Sequence, residues 1–119
     1  MATRRNEYVD WLCERLAPLG GIRVRRMFGA YGLYSGELFF AIVSDDVFYV
    51  KADALSVAEF EREGLAPFTY AMKDGSLQSL RYYPLPESAI DDDLEFLRWA
   101  RKGIEAALRS PRKTTPPKG

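Results

Sequence analysis

Apolar residues recur at intervals of three or four near both ends of the chain and alternate with polar residues between them. Close to the N-terminus, Tyr8, Trp11, Leu12 and Leu16 share one helical face, which predicts a helix over residues 5–18. Pro18 and the glycines that follow it are typical of a helix end. The chain therefore opens with an amphipathic helix.

Period-two alternation replaces this pattern after residue 21 and predicts three strands, at about 24–34, 37–43 and 46–51. Ser35-Gly36 and the residues 44–46 provide the turns between them. The first strand contains Gly29 and Gly32, so we expect a bend or a close contact with another segment there. Two further strands are predicted at 67–72 and 77–83, joined by a turn at Gly75.

Helical spacing returns over residues 54–63 and again in the C-terminal part. Asp53 is a suitable N-cap for the second helix, which we expect to bury Leu55, Ala58 and Phe60. The last helix is predicted to begin near Asp91 or Asp92 and to run to about Leu108. Residues 110–119 have nothing to bury and are expected to form a disordered, basic and proline-rich tail.

Hairpin-length connections between most strands predict a mostly antiparallel, five-stranded sheet with helices packed on it. The fold class is therefore α+β in two layers, with the order α-β-β-β-α-β-β-α over a single domain of residues 1–109. The chain has 119 residues, of which 47% are hydrophobic, and this is enough for one core. The N-terminus lacks a signal-peptide pattern and Cys13 is the single cysteine, so we expect a cytoplasmic protein without a membrane span.

The net charge is zero, but the charges are unevenly distributed. Residues 1–36 carry six Arg and Lys against three Asp and Glu, and residues 96–119 carry seven against one. Residues 37–95 carry four against thirteen. Solubility accounts for such a pattern, and so does a nucleic-acid surface, although a domain built mainly for DNA is usually basic overall.

The residue types present give little support for an enzymatic function. The chain has no histidine, which excludes Ser-His-Asp and Cys-His arrangements and removes the commonest zinc ligand. Cys13 lies among apolar residues of the first helix and is expected to be structural. Asp91, Asp92 and Asp93 match a helix N-terminus better than a metal site. We expect no catalytic residue, metal or cofactor.

The basic residues near the first predicted strand are the remaining polar candidates. In an extended segment Arg23 and Arg25 lie on one side and Arg26 on the other. Ion pairs with the acidic middle of the chain and contacts with phosphate or a partner protein are both compatible with this pattern. The many tyrosines suit strand packing and also suit base stacking.

The last helix carries two apolar stripes. We assign Leu94, Leu97, Ala100, Ile104 and Leu108 to the sheet-facing stripe. The second stripe is expected to cover either a further part of the core or another subunit, and of these we favour the interface of a homodimer. Its residues are Phe96, Trp99 and Gly103.

Residues 25–34 resemble the signature of the TfoX (Sxy) N-terminal domain family, except that Ala30 stands where a second glycine is usual. Further similarity lies in residues 38–40, 47–51, 67–70, 82–83 and 96–100. The resemblance implies a fold like that of type III secretion chaperones. The signature residues form a candidate contact surface, which comprises Arg25, Arg26, Met27, Phe28, Gly29, Tyr31, Gly32 and Tyr34.

The resemblance also implies a regulatory role of the kind that TfoX plays in competence gene expression. Longer members add a helical C-terminal domain, which we expect this chain to lack. The resulting prediction is a stand-alone, non-enzymatic regulatory protein that acts through protein–protein contacts, with weak nucleic-acid binding or none. The alternative is a small nucleic-acid-binding protein whose basic residues are Arg23, Arg25, Arg26, Arg98, Arg101 and Lys102.

Overall fold

The computed structural model of the chain describes residues 6–27 and 29–110, with the side chain of Met27 left out. Its helices alternate with groups of strands in the order that the sequence predicts, and the α+β class is confirmed. The helices are α1 (Glu7–Leu16), α2 (Val57–Arg62), α3 (Glu87–Ile90) and α4 (Asp93–Arg109), and a 3-10 turn spans Ala17–Leu19. The strands are β1 (Ile22–Met27), β2 (Ala30–Ser35), β3 (Leu38–Ser44), β4 (Val47–Lys51), β5 (Phe68–Ala71), β6 (Leu77–Leu80) and β7 (Tyr82–Pro84).

The main sheet has the order β1-β2-β3-β4-β7 within the described residues, and its pairings are all antiparallel. The prediction of one long strand at 24–34 is wrong. Met27 pairs with Ala30, so this segment is a tight hairpin of two strands. Gly29 lies in the turn with a φ of +79°, a conformation that a residue with a Cβ atom adopts only at a cost.

The predicted strand 77–83 also divides in two. Its first part pairs with β5 as a separate two-stranded sheet, and its second part joins the main sheet beside β4. At the junction the carbonyl of Arg81 accepts a hydrogen bond of 2.9 Å from the amide of Ala52. The chain therefore changes partner at Arg81, and the fifth strand of the main sheet is β7.

The helix ends follow local capping. Asp92 accepts a hydrogen bond of 3.0 Å from the amide of Glu95, as the spacing of the two residues predicts. Asp53 accepts hydrogen bonds from the amides of Leu55 and Ser56, but this turn precedes α2, which begins at Val57. Leu55 is consequently exposed, against the prediction.

The core lies between the main sheet and the helices. Its largest fully buried side chains include Phe40 of β3, Phe60 of α2 and Phe96 of α4. Phe60 stacks on Tyr83 and meets the Trp99 ring edge-on, with ring centroids 5.2 and 5.1 Å apart. No helix in the described part of the chain is long and apolar enough to cross a membrane. The prediction for the C-terminal tail falls outside the described residues from position 111 onward.

Candidate functional site

The helices cover one side of the main sheet, and the side chains on the other side form what we call the open face. Strand alternation divides the two sides, because Leu33, Val43 and Val50 belong to the helix-side core and their neighbours in sequence lie opposite. Ile42 and Tyr82 are buried but lie outside that core. The open face comprises Arg23, Arg25, Tyr34, Phe39, Ile42, Tyr49, Lys51 and Tyr82.

Aromatic rings cross the open face from β2 to β7. The ladder between β2 and β3 shifts register after Leu33, and this irregularity brings Tyr34 opposite Phe39. The two rings stack at 5.1 Å between centroids, and Phe39 is 6.0 Å from Tyr82. Such pairs stabilise neighbouring strands and leave their outer ring surface available.

The aromatic surface continues onto the β5–β6 hairpin. Tyr49 meets Phe68 edge-on at 5.0 Å, and Phe68 stacks on Tyr70 at 6.1 Å. The hairpin is covered poorly on both sides, so that Leu77 and Met72 are exposed along with Tyr70. Apolar side chains exposed next to an aromatic sheet face are typical of a contact surface.

Cationic side chains lie over the rings at both edges of this surface. The guanidinium carbon of Arg23 is 5.6 Å from the centroid of Tyr34, and the Nζ atom of Lys51 is 5.5 Å from that of Tyr82. The Arg23 guanidinium also donates a hydrogen bond of 3.1 Å to the carbonyl of Gly36. Each cation therefore rests on an aromatic face without being neutralised.

Four basic residues on the helix side pair with carboxylates, whereas Arg62 of α2 and Arg101 of α4 are exposed and make no ion pair with a described carboxylate. The four pairs are Arg15–Asp93 at 3.1 Å, Arg98–Glu95 at 3.0 Å, Lys102–Glu59 at 2.6 Å and Arg109–Asp53 at 2.7 Å. Arg23, Arg25 and Lys51 have no carboxylate partner among the described residues. The open face consequently carries uncompensated positive charge on a chain whose net charge is zero.

Tyr49 and Tyr82 of the open face are protonated at neutral pH. Burial, together with a smaller effect of Tyr34, raises the pKa of Tyr82 to about 12. Burial and the nearby carboxylate of Asp45 raise the pKa of Tyr49 as well. A phenol with a raised pKa is a poor general base, so these rings supply contact area and hydrogen-bond donors.

Comparison with known proteins identifies the fold just described. A family model for the TfoX N-terminal domain matches residues 14–107, which include the whole main sheet. The chain belongs to the TfoX N-terminal domain family. It is also 34% identical over 96 residues to Protein Sxy from Escherichia coli K12, a match that covers 81% of this chain and 46% of that protein. The chain thus spans about half the length of the curated relative it matches.

The segment that resembles the family signature, residues 25–34, lies in the β1–β2 hairpin, and its described side chains divide between the two sides of the sheet. Arg25 and Tyr34 belong to the open face, whereas Tyr31 packs against the helix-side core with Arg26 5.8 Å above its ring. Gly32 is buried in β2 between its partners on β1 and β3. Phe28 and the side chain of Met27 lie outside the described residues. The segment therefore contributes Arg25 and Tyr34 to the open face, and Gly29, Tyr31 and Gly32 to the hairpin and its packing.

The prediction that we favoured for the second stripe of the last helix, a position outside the core of the subunit, is wrong. Phe96 and Trp99 are 1% and 5% exposed inside the subunit, and Gly103 faces Phe40 and Val50 of the sheet. Of the stripe predicted to face the sheet, Ala100 is buried and Leu97 and Ile104 pack against the core, whereas Leu94 and Leu108 are 79% and 63% exposed. A homodimer stays a prediction, and the buried Phe96, Trp99 and Gly103 are unavailable to a second subunit.

The basic residues of the nucleic-acid alternative do not form one surface. Arg23 and Arg25 lie on the open face, whereas Arg98 and Lys102 lie on the helix side and are paired with Glu95 and Glu59. Arg101, also on α4, is exposed and has no carboxylate partner among the described residues, so the positive charge of this set on the helix side is compensated only in part. This division of the basic set weakens the alternative.

The remaining polar candidates serve the fold. Cys13 is half-buried against the core. Asp92 caps α4 and Asp93 pairs with Arg15, whose guanidinium also donates to the carbonyl of Ile90. Among residues 6–27 and 29–110, no group of three or more His, Cys, Asp or Glu side chains is placed to hold a metal ion.

Sequence reasoning missed Phe39, Lys51 and Tyr82 as parts of the open face. Their positions alternate with buried neighbours along each strand, and this was the available signal. Which residues meet across strands depends on the register shift after Leu33 and on β7 leaving the hairpin, and neither feature is evident in the local sequence.

Proposed function

We propose that this protein is a non-enzymatic, cytoplasmic regulator that acts by binding another protein through its open face. Its membership of the TfoX N-terminal domain family supports a regulatory role, and we extend this to the expression of competence genes. The role of the C-terminal half of the longer relative is not carried over to this chain.

The observation that carries the proposal is the uncompensated charge on the aromatic open face. Arg23, Arg25 and Lys51 have no carboxylate partner among the described residues, and Arg23 and Lys51 also lie over tyrosine rings. Arg62 and Arg101 on the helices likewise have no carboxylate partner in the described part of the chain, but neither lies over a described aromatic ring. Aromatic and arginine side chains are enriched at protein interfaces, and a cation held above a ring is ready to accept an acidic partner. The exposed apolar residues of the β5–β6 hairpin extend the same surface.

The open face suits binding better than catalysis. Tyr49 and Tyr82 are held as neutral phenols, and the arginines have no nucleophile or base beside them. The open face offers guanidinium and phenol hydrogen-bond donors to an acceptor group on a partner. The surface is therefore chemically suited to recognise carboxylates beside apolar or aromatic groups.

The experiment reverses the charge of the open face in the native organism. The double variant Arg25→Glu with Lys51→Glu should lose regulation of competence-type transcripts in a strain lacking the chromosomal gene. The matched control, Arg62→Glu with Arg101→Glu, makes the same change of charge at exposed positions on α2 and α4 and should regulate as the wild type does. Transcript levels are the readout, with protein abundance measured in parallel.

A photo-reactive residue then locates the contact. Benzoylphenylalanine at position 39, on the open face, should cross-link to a protein, and the same group at the exposed position 94 on α4 should not. Regulation that survives the open-face variant and fails in the control would overturn the proposal. Cross-links from position 94 alone would have the same meaning.

A further inference from the structure

Strand β1 is the edge of the main sheet, and its outer side is unpaired in the described structure. The amide of Gly36 donates to the carbonyl of Gly21 across the β1–β2 ladder at 2.9 Å. Because ladder hydrogen bonds alternate along an antiparallel strand, the backbone groups of Ile22, Val24 and Arg26 point away from β2. No described backbone group bonds to them. An edge of this kind accepts a further strand.

The side chains of β1 determine which residue types an added strand needs at each position. Arg23 and Arg25 lie on the open face two positions apart, and Val24 between them is half-buried on the helix side. An added strand places two alternate residues opposite the arginines and the intervening residue beside Val24. Residues directly opposite each other are about 4.5–5.5 Å apart, and opposite charges there are favourable. The matching pattern is acidic–apolar–acidic.

From this juxtaposition we propose that β1 binds an extended segment of a partner protein by strand addition, with acidic residues at alternate positions facing Arg23 and Arg25. This inference rests on the proposed function in one respect, that the chain acts through a protein partner. It adds the mode of binding and the chemistry that selects the partner.

Two other occupants of the edge fit less well. In an antiparallel pair formed by β1 of a second copy and centred on Val24, Arg23 would face Arg25, and like charges directly opposite each other are destabilising. The chain's own termini, residues 1–5 and 111–119, contain basic residues and no acidic ones. The charge of the edge thus disfavours self-association and favours an acid-bearing segment.

The test uses the full chain and a synthetic, fluorescently labelled nine-residue peptide that alternates glutamate and valine. Fluorescence anisotropy at low salt should give at least tenfold tighter binding than for the same peptide with glutamine in place of glutamate. Hydrogen exchange of the wild-type amides, followed by NMR, should slow at Val24 and Arg26 when the glutamate peptide is added. Equal affinity for the two peptides, or protection confined to other strands, would overturn the proposal.

A matched pair of variants separates backbone pairing from charge attraction. Arg26→Pro removes an outward N–H group at an exposed edge position, where proline is tolerated, and Arg26→Ala keeps that group. Both variants lose the same charge, so the proline variant should bind the glutamate peptide at least tenfold more weakly than the alanine variant. Equal binding of the peptide by the two folded variants would overturn strand addition. If the proline variant does not fold, the protection of the wild-type amides of Val24 and Arg26 by the peptide is the deciding test.

Two further arms identify the ligand class. Arg23→Glu with Arg25→Glu should reverse the preference in favour of a lysine–valine peptide. Tighter binding of a single-stranded oligothymidine, with competition against the peptide, would overturn the proposal in favour of a nucleic acid. If the open-face variant loses regulation but the wild-type protein does not bind the glutamate peptide, strand addition is rejected and the proposed function stands. If the wild-type protein binds the peptide but the open-face variant has no effect on transcripts, the proposed function is rejected.

Discussion

The main-chain carbonyl oxygen of Phe40 lies 2.9 Å from the position that a Cβ atom on Gly103 would occupy. The Cβ atom of Val50 is equally close to that position, and the Phe40 ring is 3.2 Å away. Helix α4 therefore rests directly on β3 and β4 at this point, and the absence of a side chain at residue 103 sets the distance between the two layers.

Gly103→Ala should destabilise the protein by about 1–3 kcal/mol, because the added methyl group must displace sheet backbone. The sign of the change in unfolding free energy is informative, because the same substitution at a solvent-exposed position inside a helix stabilises by up to about 1 kcal/mol. Urea denaturation followed by circular dichroism measures the free energy of unfolding. Arg101→Ala, exposed on the same helix, serves as control and should change it by less than about 0.5 kcal/mol. A more stable Gly103→Ala variant would contradict the observed packing.

Substitutions of Trp99 and Leu94 test which side of α4 faces the core. Trp99→Ala should cost about 3–5 kcal/mol, because the ring is buried against Phe60, and Trp99→Glu should unfold the protein by adding an unpaired buried charge. Leu94→Glu lies at an exposed site in the first turn of the helix, where an acidic residue is favourable. Its circular dichroism spectrum and melting temperature should match the wild type. A folded Trp99→Glu variant would show that the ring faces outward.

Gly29 tests the β1–β2 hairpin. Its φ of +79° excludes β-branched residues, while a Cβ atom there would meet nothing within 4 Å. The cost of Gly29→Val is therefore conformational, about 1–3 kcal/mol, and Gly29→Asn should cost less because asparagine tolerates this backbone region. Thermal melts of both variants give the comparison. Equal losses for the two substitutions would indicate that crowding, not φ, is responsible.

Local signals in the sequence predicted most of the elements and failed where long-range pairing decides. The capping of α4 by Asp92 and the existence of α1 depend on residues within a few positions, and both were predicted correctly. The predicted apolar face of α1 was correct only in part, because Leu12 and Leu16 are buried but Trp11 is exposed. The hairpin at Gly29 and the change of partner at Arg81 depend on which distant strands compete for the backbone groups. No pattern of a few residues contains that information.

The prediction that one stripe of α4 lies outside the core was wrong for a related reason. The packed side of the helix takes Ala100 from the stripe that was predicted to face the sheet and Gly103 from the other stripe, together with Ala107. Small residues mark close approach of a helix to a sheet, whereas Leu94 and Leu108 lie near the ends of the helix and remain exposed.

The open face could be predicted only in part from the sequence. Arg23 and Arg25 were identified from strand alternation, whereas their aromatic neighbours depend on the register between strands, which only the structure shows.

The contact between Arg109, at the end of α4, and Asp53, before α2, should make folding stability depend on acid. Two hydrogen bonds of 2.7 and 3.0 Å from the guanidinium, aided by the amides of Ser56 and Leu55, lower the pKa of Asp53 from 3.8 to about 2. A carboxyl with a depressed pKa stabilises the folded state fully above its unfolded pKa, and this contribution is lost as pH falls through the folded pKa. The relevant window is therefore about pH 4 to pH 2.

In Arg109→Gln the principal cause of the shift is removed, so the pKa of Asp53, followed by carbon NMR of its carboxyl, should rise toward 3.8. The difference in unfolding free energy between wild type and variant should be constant above about pH 4 and shrink toward pH 2. Arg101→Gln, which removes an exposed charge from the same helix, should give a curve parallel to the wild type. If the curves of wild type and Arg109→Gln also run parallel down to pH 2, Arg109 does not hold Asp53 in its charged form.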